Sequence, residues 1–172
     1  MAPGATYRVA LVCLGNICRS PTADVVLNEL LDRAGVTGVE VTSSGTGDWH
    51  VGEPMDRRSA GVLRDAGYHP DAHRAQHFGP SWYDHDLILV MDASNLADVR
   101  DELPADRHDR VKMFRAFDPE APGADPATGT GPDLPDPWYG GREGFLEVLA
   151  VVERTAASLV EHLQSSRSPS SA

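Results

Sequence analysis

Residues 7 to 34 read as a strand, a tight turn and a helix with nothing between them. That succession restricts the fold more than any other part of the chain. Tyr7 to Val12 (YRVALV) is short and rich in β-branched residues, the pattern of a first strand buried on both faces. A compact turn follows, Cys13 to Arg19. Ser20 then has the character of an N-cap and Pro21 that of a first helical residue. The helix is expected to run to about Ala34. Val25, Val26, Leu30, Leu31 and Ala34 supply its buried stripe, and Gly35 stops it.

The alternation continues downstream. Val39 to Ser43 forms a second strand. Asp56 caps a helix that reaches Leu63 to Ala66 and ends at Gly67. Asp86 to Met91 (DLILVM) is the strongest buried strand in the chain. Ser94 starts a helix that stops before Pro104, and Val111 to Phe114 is a short fourth strand. Phe117 to Pro137 is rich in Pro, Gly and Asp and must be mostly loop. Gly144 to about Gln164 is a long final helix, with Phe145, Val148, Val152, Leu159 and Leu163 at helical spacing. The polar stretch Ser165 to Ala172 is expected to be a disordered tail.

These elements predict one α/β domain over residues 1–164. Its sheet is four-stranded and mainly parallel, Rossmann-like, with helices on both faces. Ligands bind such sheets at the carboxyl ends of the strands. The turn Cys13 to Arg19 falls at such an end, directly before a helix.

Composition removes several classes of function. A chain of 172 residues suits one domain with a full core. The formal net charge of −11 argues against nucleic acid as a partner, since phosphate backbones need clustered Lys and Arg. No run of about eighteen apolar residues exists, so no membrane span is expected. Met1 to Tyr7 lacks a basic patch followed by an apolar stretch, so no secretory signal is expected either, and the chain is assigned to the cytoplasm. Cys13 and Cys18 are the only cysteines, and they share one short segment. A disulfide framework would spread them along the chain. These two thiols therefore call for a chemical explanation.

The segment Cys13-Leu14-Gly15-Asn16-Ile17-Cys18-Arg19-Ser20 supplies one. A helix N-terminus presents unpaired N–H groups and a partial positive charge. A short loop ahead of it can turn its own N–H groups inward and cradle an anion. Gly15 and Asn16 tolerate the left-handed backbone that such a curl needs. Arg19 can fork two hydrogen bonds to a phosphate. Cys13, at the mouth, would be held as a thiolate at neutral pH, placed to attack phosphorus. Ser20 can donate its hydroxyl to that sulfur, in place of capping or alongside it. Two readings compete with this one. The cysteines could be small core residues. They could also bind zinc with His50 or His73, although the usual two-residue gap and a second cysteine pair are missing.

The string VCLGNICRSP closely resembles the signature of the low-molecular-weight protein tyrosine phosphatases. Ser43-Ser44-Gly45-Thr46 with Asp48-Trp49-His50-Val51-Gly52 is similar to that family's second-strand loop. Asp92 to Leu96 (DASNL) and Asp136-Pro137-Trp138-Tyr139 also match its pattern. The resemblance spans roughly Arg8 to Leu163 and looks most like the actinobacterial branch. It implies a protein tyrosine phosphatase that forms a phosphocysteine on Cys13. Arg19 and the loop from Leu14 through Gly15, Asn16, Ile17 and Cys18 to Ser20 would bind the phosphate.

The resemblance further implies Asp136 as the general acid and base, with Asp133 in reserve. Asp118-Pro119 and Asp125-Pro126 repeat the Asp-Pro pair, so only the aromatic residues after Asp136 single it out. Trp49, Trp138 and Tyr139 would wall the pocket around a phenyl ring; core packing or a peptide-binding rim is the other reading for each. Family members more often carry Tyr or Phe where Trp138 stands. Asn16 and Ser43 would brace the loop, with Ser44 able to serve instead of Ser43. Cys18 would trap oxidised Cys13 as a disulfide or simply fill space. His73 lies near a family histidine position but is given no role, and the other histidines are read as surface or structural.

No cofactor and no metal are expected. The expected partners are phosphotyrosine proteins, with inorganic phosphate as product or inhibitor. The sequence leaves the oligomeric state open, with a monomer as the expectation. Three rivals share parts of the pattern. A thiol arsenate reductase needs further cysteines, and none follows Cys18. A sugar-transport phosphocarrier has no use for Arg19 or an acid loop. A silent phosphotyrosine-binding module would not need every catalytic position filled.

Overall fold

The computed structural model describes residues 6–138 and 140–167. In chain order the elements are β1 (Tyr7–Cys13), α1 (Arg19–Arg33), β2 (Val39–Gly45), α2 (Arg57–Asp65), β3 (Leu87–Val90), α3 (Ala93–Glu102), β4 (Val111–Met113) and α4 (Arg142–Arg167). The strands lie in the order β2-β1-β3-β4, and every pairing is parallel. Val9 stands opposite both Val41 and Leu87, and Ile88 opposite Val111.

The order explains where a ligand can enter. From β1 the chain crosses one way, through α1, to reach β2. It later returns to the other side of β1 to lay down β3 and then β4. Parallel neighbours need such crossovers, and right-handedness puts α1 (between β1 and β2) and α3 (between β3 and β4) on opposite faces. The carboxyl ends of β1 and β3, where the direction reverses, flank a crevice.

β1 is the centre of the core. Val9, Ala10, Leu11 and Val12 have no exposed surface, nor do Ile88, Leu89 and Val90 of β3. A strand covered on both faces cannot alternate polar with apolar residues, so it reads as a continuous apolar run. α1, α2 and α4 pack on one another, and α3 packs on β3 and β4. α4 buries Phe145, Val148, Val152, Leu159 and Leu163 as its spacing predicts, together with Leu149, Ala156 and Val160.

Several boundaries move. α1 starts at Arg19, not at Pro21, and its N-cap is Cys18 with no side-chain cap bond. Ser20 lies inside the first turn because its hydroxyl is used elsewhere, as shown below. The buried stripe of α1 contains Ala23, Val26, Leu27 and Leu31, while Ala34 is exposed. Gly35 ends the helix at φ +68, with its N–H on Asp32 O and that of Val36 on Leu31 O. α3 is capped by Asp92, whose carboxylate accepts from Asn95 N, two residues before the expected Ser94. α4 carries on past Gln164 to Arg167; residues 168–172 of the expected tail lie outside the described residues. Among the described residues, no helix is long and apolar enough to cross a membrane.

Candidate active site

β1 delivers Cys13 to the crevice, and the chain then curls through one tight loop into α1. The outer side of that loop is held by donors from four other parts of the molecule. Thr46 N and Gly47 N, just past β2, donate to the carbonyls of Cys13 and Leu14 at 2.9 and 2.8 Å. His73 Nε2 donates to Asn16 O at 2.8 Å, and Asp56 N donates to Ile17 O at 2.9 Å. Thr22, in α1, donates its N–H and its hydroxyl to Cys18 O. With these carbonyls pulled outward, the N–H groups remain for the interior of the loop. That of Asn16 points at Cys13 Sγ, 3.3 Å away.

Asn16 makes this shape possible. It sits at φ 57, the only non-glycine with positive φ among the described residues. Asn tolerates that conformation because its side chain finds local partners. Here Nδ2 donates to Ser20 Oγ at 2.9 Å and Oδ1 accepts from Gln76 N at 2.8 Å. Gly45 is required for a different reason: a Cβ there would fall 2.6 Å from Leu14 O.

Ser20 Oγ lies 2.9 Å from Cys13 Sγ. Asn16 Nδ2 already donates to that oxygen, so the one hydroxyl hydrogen has two acceptors within reach, the sulfur at 2.9 Å and Ser44 O at 3.4 Å. Arg19 is only 4% exposed. Its Nη1 donates to Asp92 Oδ2 at 2.8 Å and to Leu134 O at 3.1 Å. Burial opposes its charge, but the Asp92 hydrogen bond and the attraction of Cys13, Asp92 and Asp136 keep the guanidinium pKa above its ordinary value. Its Nη2 comes within 3.8 Å of Asp136 Oδ2.

A pocket of about 250 Å³ opens over these groups. It is lined by Cys13, Leu14, Gly15, Ile17, Cys18, Arg19, Asp136, Trp49, His50 and Trp138. Trp49 is 69% exposed and Trp138 39%, so both indoles stand at the mouth rather than in the core. Tyr139, the third expected aromatic wall, lies outside the described residues. Asp136 Oδ1 accepts from Trp138 N at 3.0 Å, and its side chain is 46% exposed.

The other candidate aspartates are used elsewhere. Asp133 Oδ1 accepts from Ala93 N at the start of α3. Asp118 is clamped by Arg115 and Arg154. Asp125 closes a local turn onto Ala127 N. Cys18 is a protonated thiol: burial first, then the charge of Asp56, pushes it up to about 12. Among the described residues, no three His, Cys, Asp or Glu gather where they could hold a metal ion.

Ser43 does not brace the loop. Its hydroxyl donates to Asp24 Oδ2 at 2.9 Å, tying β2 to α1. The Ser44 hydroxyl, the alternative, is buried with no hydrogen-bond partner among the described residues; Ser44 meets the loop through its carbonyl, 3.4 Å from Ser20 Oγ. Three side chains were missed in the sequence, His73 on Asn16 O being the first. His50 lines the pocket, its Nδ1 paired with Glu53 and its ring 6.4 Å from that of Trp138. Asp92 anchors Arg19 from 73 residues away; only its place in the DASNL string hinted at a use.

A family model described as "Low molecular weight phosphotyrosine protein phosphatase" matches residues 8–168. A low molecular weight protein-tyrosine-phosphatase of Streptomyces coelicolor is 44% identical over 158 residues, 90% of this chain and 92% of that protein. Low molecular weight protein-tyrosine phosphatase A of Mycobacterium tuberculosis is 42% identical over 153 residues, 88% of each chain. Among solved structures, a protein tyrosine phosphatase of Entamoeba histolytica superposes with a TM-score of 0.84 at 27% identity, covering 94% of this chain and 99% of its own.

Proposed function

This chain belongs to the low molecular weight phosphotyrosine protein phosphatase family, and we propose that its residues divide the family's cysteine chemistry as follows. The protein is a phosphoric monoester hydrolase, a protein tyrosine phosphatase. Cys13 attacks phosphorus as a thiolate. The S–P bond forms as the P–O bond to the aryl group breaks, and Asp136 passes its proton to the departing phenolate. The loop N–H groups and the Nη2 side of Arg19 hold the equatorial oxygens. In the second step Asp136, now a carboxylate, takes a proton from water as that water attacks phosphorus. Cys13 leaves as thiolate and inorganic phosphate is released.

Leu14, Gly15, Asn16, Ile17, Cys18 and Ser20 form the phosphate seat, and Trp49 and Trp138 flank the ring of the substrate. A slot walled this way favours phosphotyrosine over phosphoserine, whose shorter side chain leaves its phosphate short of the sulfur. The substrates are phosphotyrosine proteins. The enzyme acts in the cytoplasm as a monomer, needs no metal, and has neither nucleic acid nor a membrane as partner.

One observation carries this reading: the loop whose carbonyls are held outward, the sulfur of Cys13, the inner end of Arg19 and the Asp136 carboxylate border a single pocket. Hydrolysis of p-nitrophenyl phosphate tests it. Cys13→Ser should abolish turnover while phosphate still binds. Turnover by Cys13→Ser near the parent rate would reject the assignment, as would activity that EDTA abolishes and Mg²⁺ restores.

A further inference from the structure

We propose that Arg58 is a positioning residue for the acid loop, fixing where the Asp136 carboxyl stands over the pocket. The inference rests on the reading of Asp136 as the general acid.

The acid loop is well held ahead of Asp136. Leu134 is buried, its carbonyl accepts from Arg19 Nη1 and that of Asp133 from Arg115 Nη1, and Arg19 Nη2 stands 3.8 Å from the Asp136 carboxylate. The stretch after Asp136 has fewer ties. Pro135 and Pro137 flank Asp136 and bring no N–H. Among the described residues, Leu134 N on Met91 O, at 2.7 Å, anchors the loop's start to the body of the fold, whereas Gly140 N turns back to Pro137 of the same loop. Arg58, in the first turn of α2, reaches across 80 residues to fill the gap. Its Nη1 donates to Trp138 O at 3.0 Å. Its guanidinium carbon lies 5.1 Å from the Trp138 ring centre and 4.6 Å from that of Phe145, which is fixed in the core.

The base of the arm is equally defined. Nε and Nη2 each reach the Asp56 carboxylate at 3.3 Å. Asp56 caps α2 through Arg58 N and Ser59 N, and its own N–H donates to Ile17 O of the catalytic loop. At the other end, Trp138 N donates to Asp136 Oδ1. A continuous path therefore runs from Ile17 through Asp56, Arg58 and Trp138 to the acid. Arg suits this post because one planar group can use two edges and both faces at once; Lys supplies the charge alone. The distance from acid to sulfur is set by the bond Arg58 makes to Trp138 O and by its tie to the catalytic loop through Asp56.

Leaving-group dependence tests this. p-Nitrophenolate departs with little need of a proton, and phenolate needs one. Arg58→Gln should lower kcat/KM for phenyl phosphate about 10- to 100-fold and for p-nitrophenyl phosphate only a few-fold. Inhibition by inorganic phosphate should stay nearly unchanged, showing an intact catalytic loop. In an Asp136→Ala background the same change should add nothing. Arg58→Lys, which keeps the charge and the stem and guards against a folding failure, should show the same selectivity in smaller measure. Equal losses on both substrates, or an undiminished loss without Asp136, would overturn the proposal. If Asp136→Ala is selective and Arg58→Gln is not, the proposal falls alone. If Asp136→Ala shows no selectivity, the assignment of the acid falls, and this proposal with it.

Discussion

The hydroxyl of Ser20 lies 2.9 Å from Cys13 Sγ, and its own acceptor side is taken by Asn16 Nδ2. A thiolate at Cys13 is the nearer of two acceptors for the remaining hydroxyl hydrogen, Ser44 O at 3.4 Å being the other. The serine that looks in sequence like a helix cap is thus a ligand of the nucleophile. The contact helps most when sulfur must leave with a negative charge, during breakdown of the phosphoenzyme.

Ser20→Ala is therefore expected to slow dephosphorylation more than phosphorylation. A hydrogen bond to a charged group contributes about 1.5–3 kcal/mol, so kcat should fall roughly 10- to 100-fold. A rapid-quench burst with p-nitrophenyl phosphate checks it, because phosphoenzyme should accumulate. An unchanged kcat would remove Ser20 from the mechanism.

Cys18 and Cys13 should differ sharply toward alkylating reagents. With Cys18 pushed up to about 12 by burial and by Asp56, only its thiol form exists at neutral pH, and thiols are poor nucleophiles. Iodoacetate at pH 7 should label one cysteine per chain, and Cys13→Ser should eliminate the label. Mass spectrometry that finds Cys18 modified at a comparable rate would contradict this.

Asp92 offers one oxygen to Arg19 and the other to the start of α3. Asp92→Asn keeps an acceptor but leaves a buried guanidinium without its counter-charge. The expected cost to stability is on the order of 2 kcal/mol, seen in urea unfolding. A displaced Arg19 should also reduce kcat/KM about tenfold or more. Full activity at reduced stability would show that Arg19 keeps its place without Asp92.

Asp24 predicts an unusual dependence on pH. Burial raises its pKa from 3.8 to about 6, against hydrogen bonds from Ser43 and Asn28 that lower it. The folded form thus binds the proton more tightly than the unfolded one. Its favourable contribution is complete below the unfolded value and is lost as pH rises through about 6. Asp24→Asn should be more stable than the parent at pH 7.5, by on the order of 2 kcal/mol, and the advantage should shrink toward pH 4. A difference independent of pH in thermal melts would assign the effect to packing instead.

The parts of this molecule that were legible in sequence are those decided locally. The apolar run of β1, the Asp56 cap, the glycine stops at Gly35 and Gly67 and the stripe of α4 each depend on a few adjacent residues. The spacing from Cys13 to Arg19 is of the same kind, since loop and nucleophile are one segment. What sequence left open was decided between distant segments. That the Ser43 hydroxyl goes to Asp24, and that Ser44 meets Ser20 through its carbonyl, depended on how β2 lies against α1, which no local pattern states. Asp92 and the carbonyl of Leu134 meet Arg19 from 73 and 115 residues away. The helix start was misread because Ser20 has two possible uses, and only the folded geometry shows that the sulfur takes it.

The carbonyls of the catalytic loop are tied down by the ends of β2 and α1, by the approach to α2 and by the stretch around His73. An anion seat built this way is finished when the chain finishes folding. Tetrahedral oxyanions meet a rigid mould, so vanadate, phosphate and sulfate should rank by their charge and bond lengths rather than by any change each induces. Evolution toward other phosphoesters must then work at the rim, because reshaping the mould would mean moving four separate struts together.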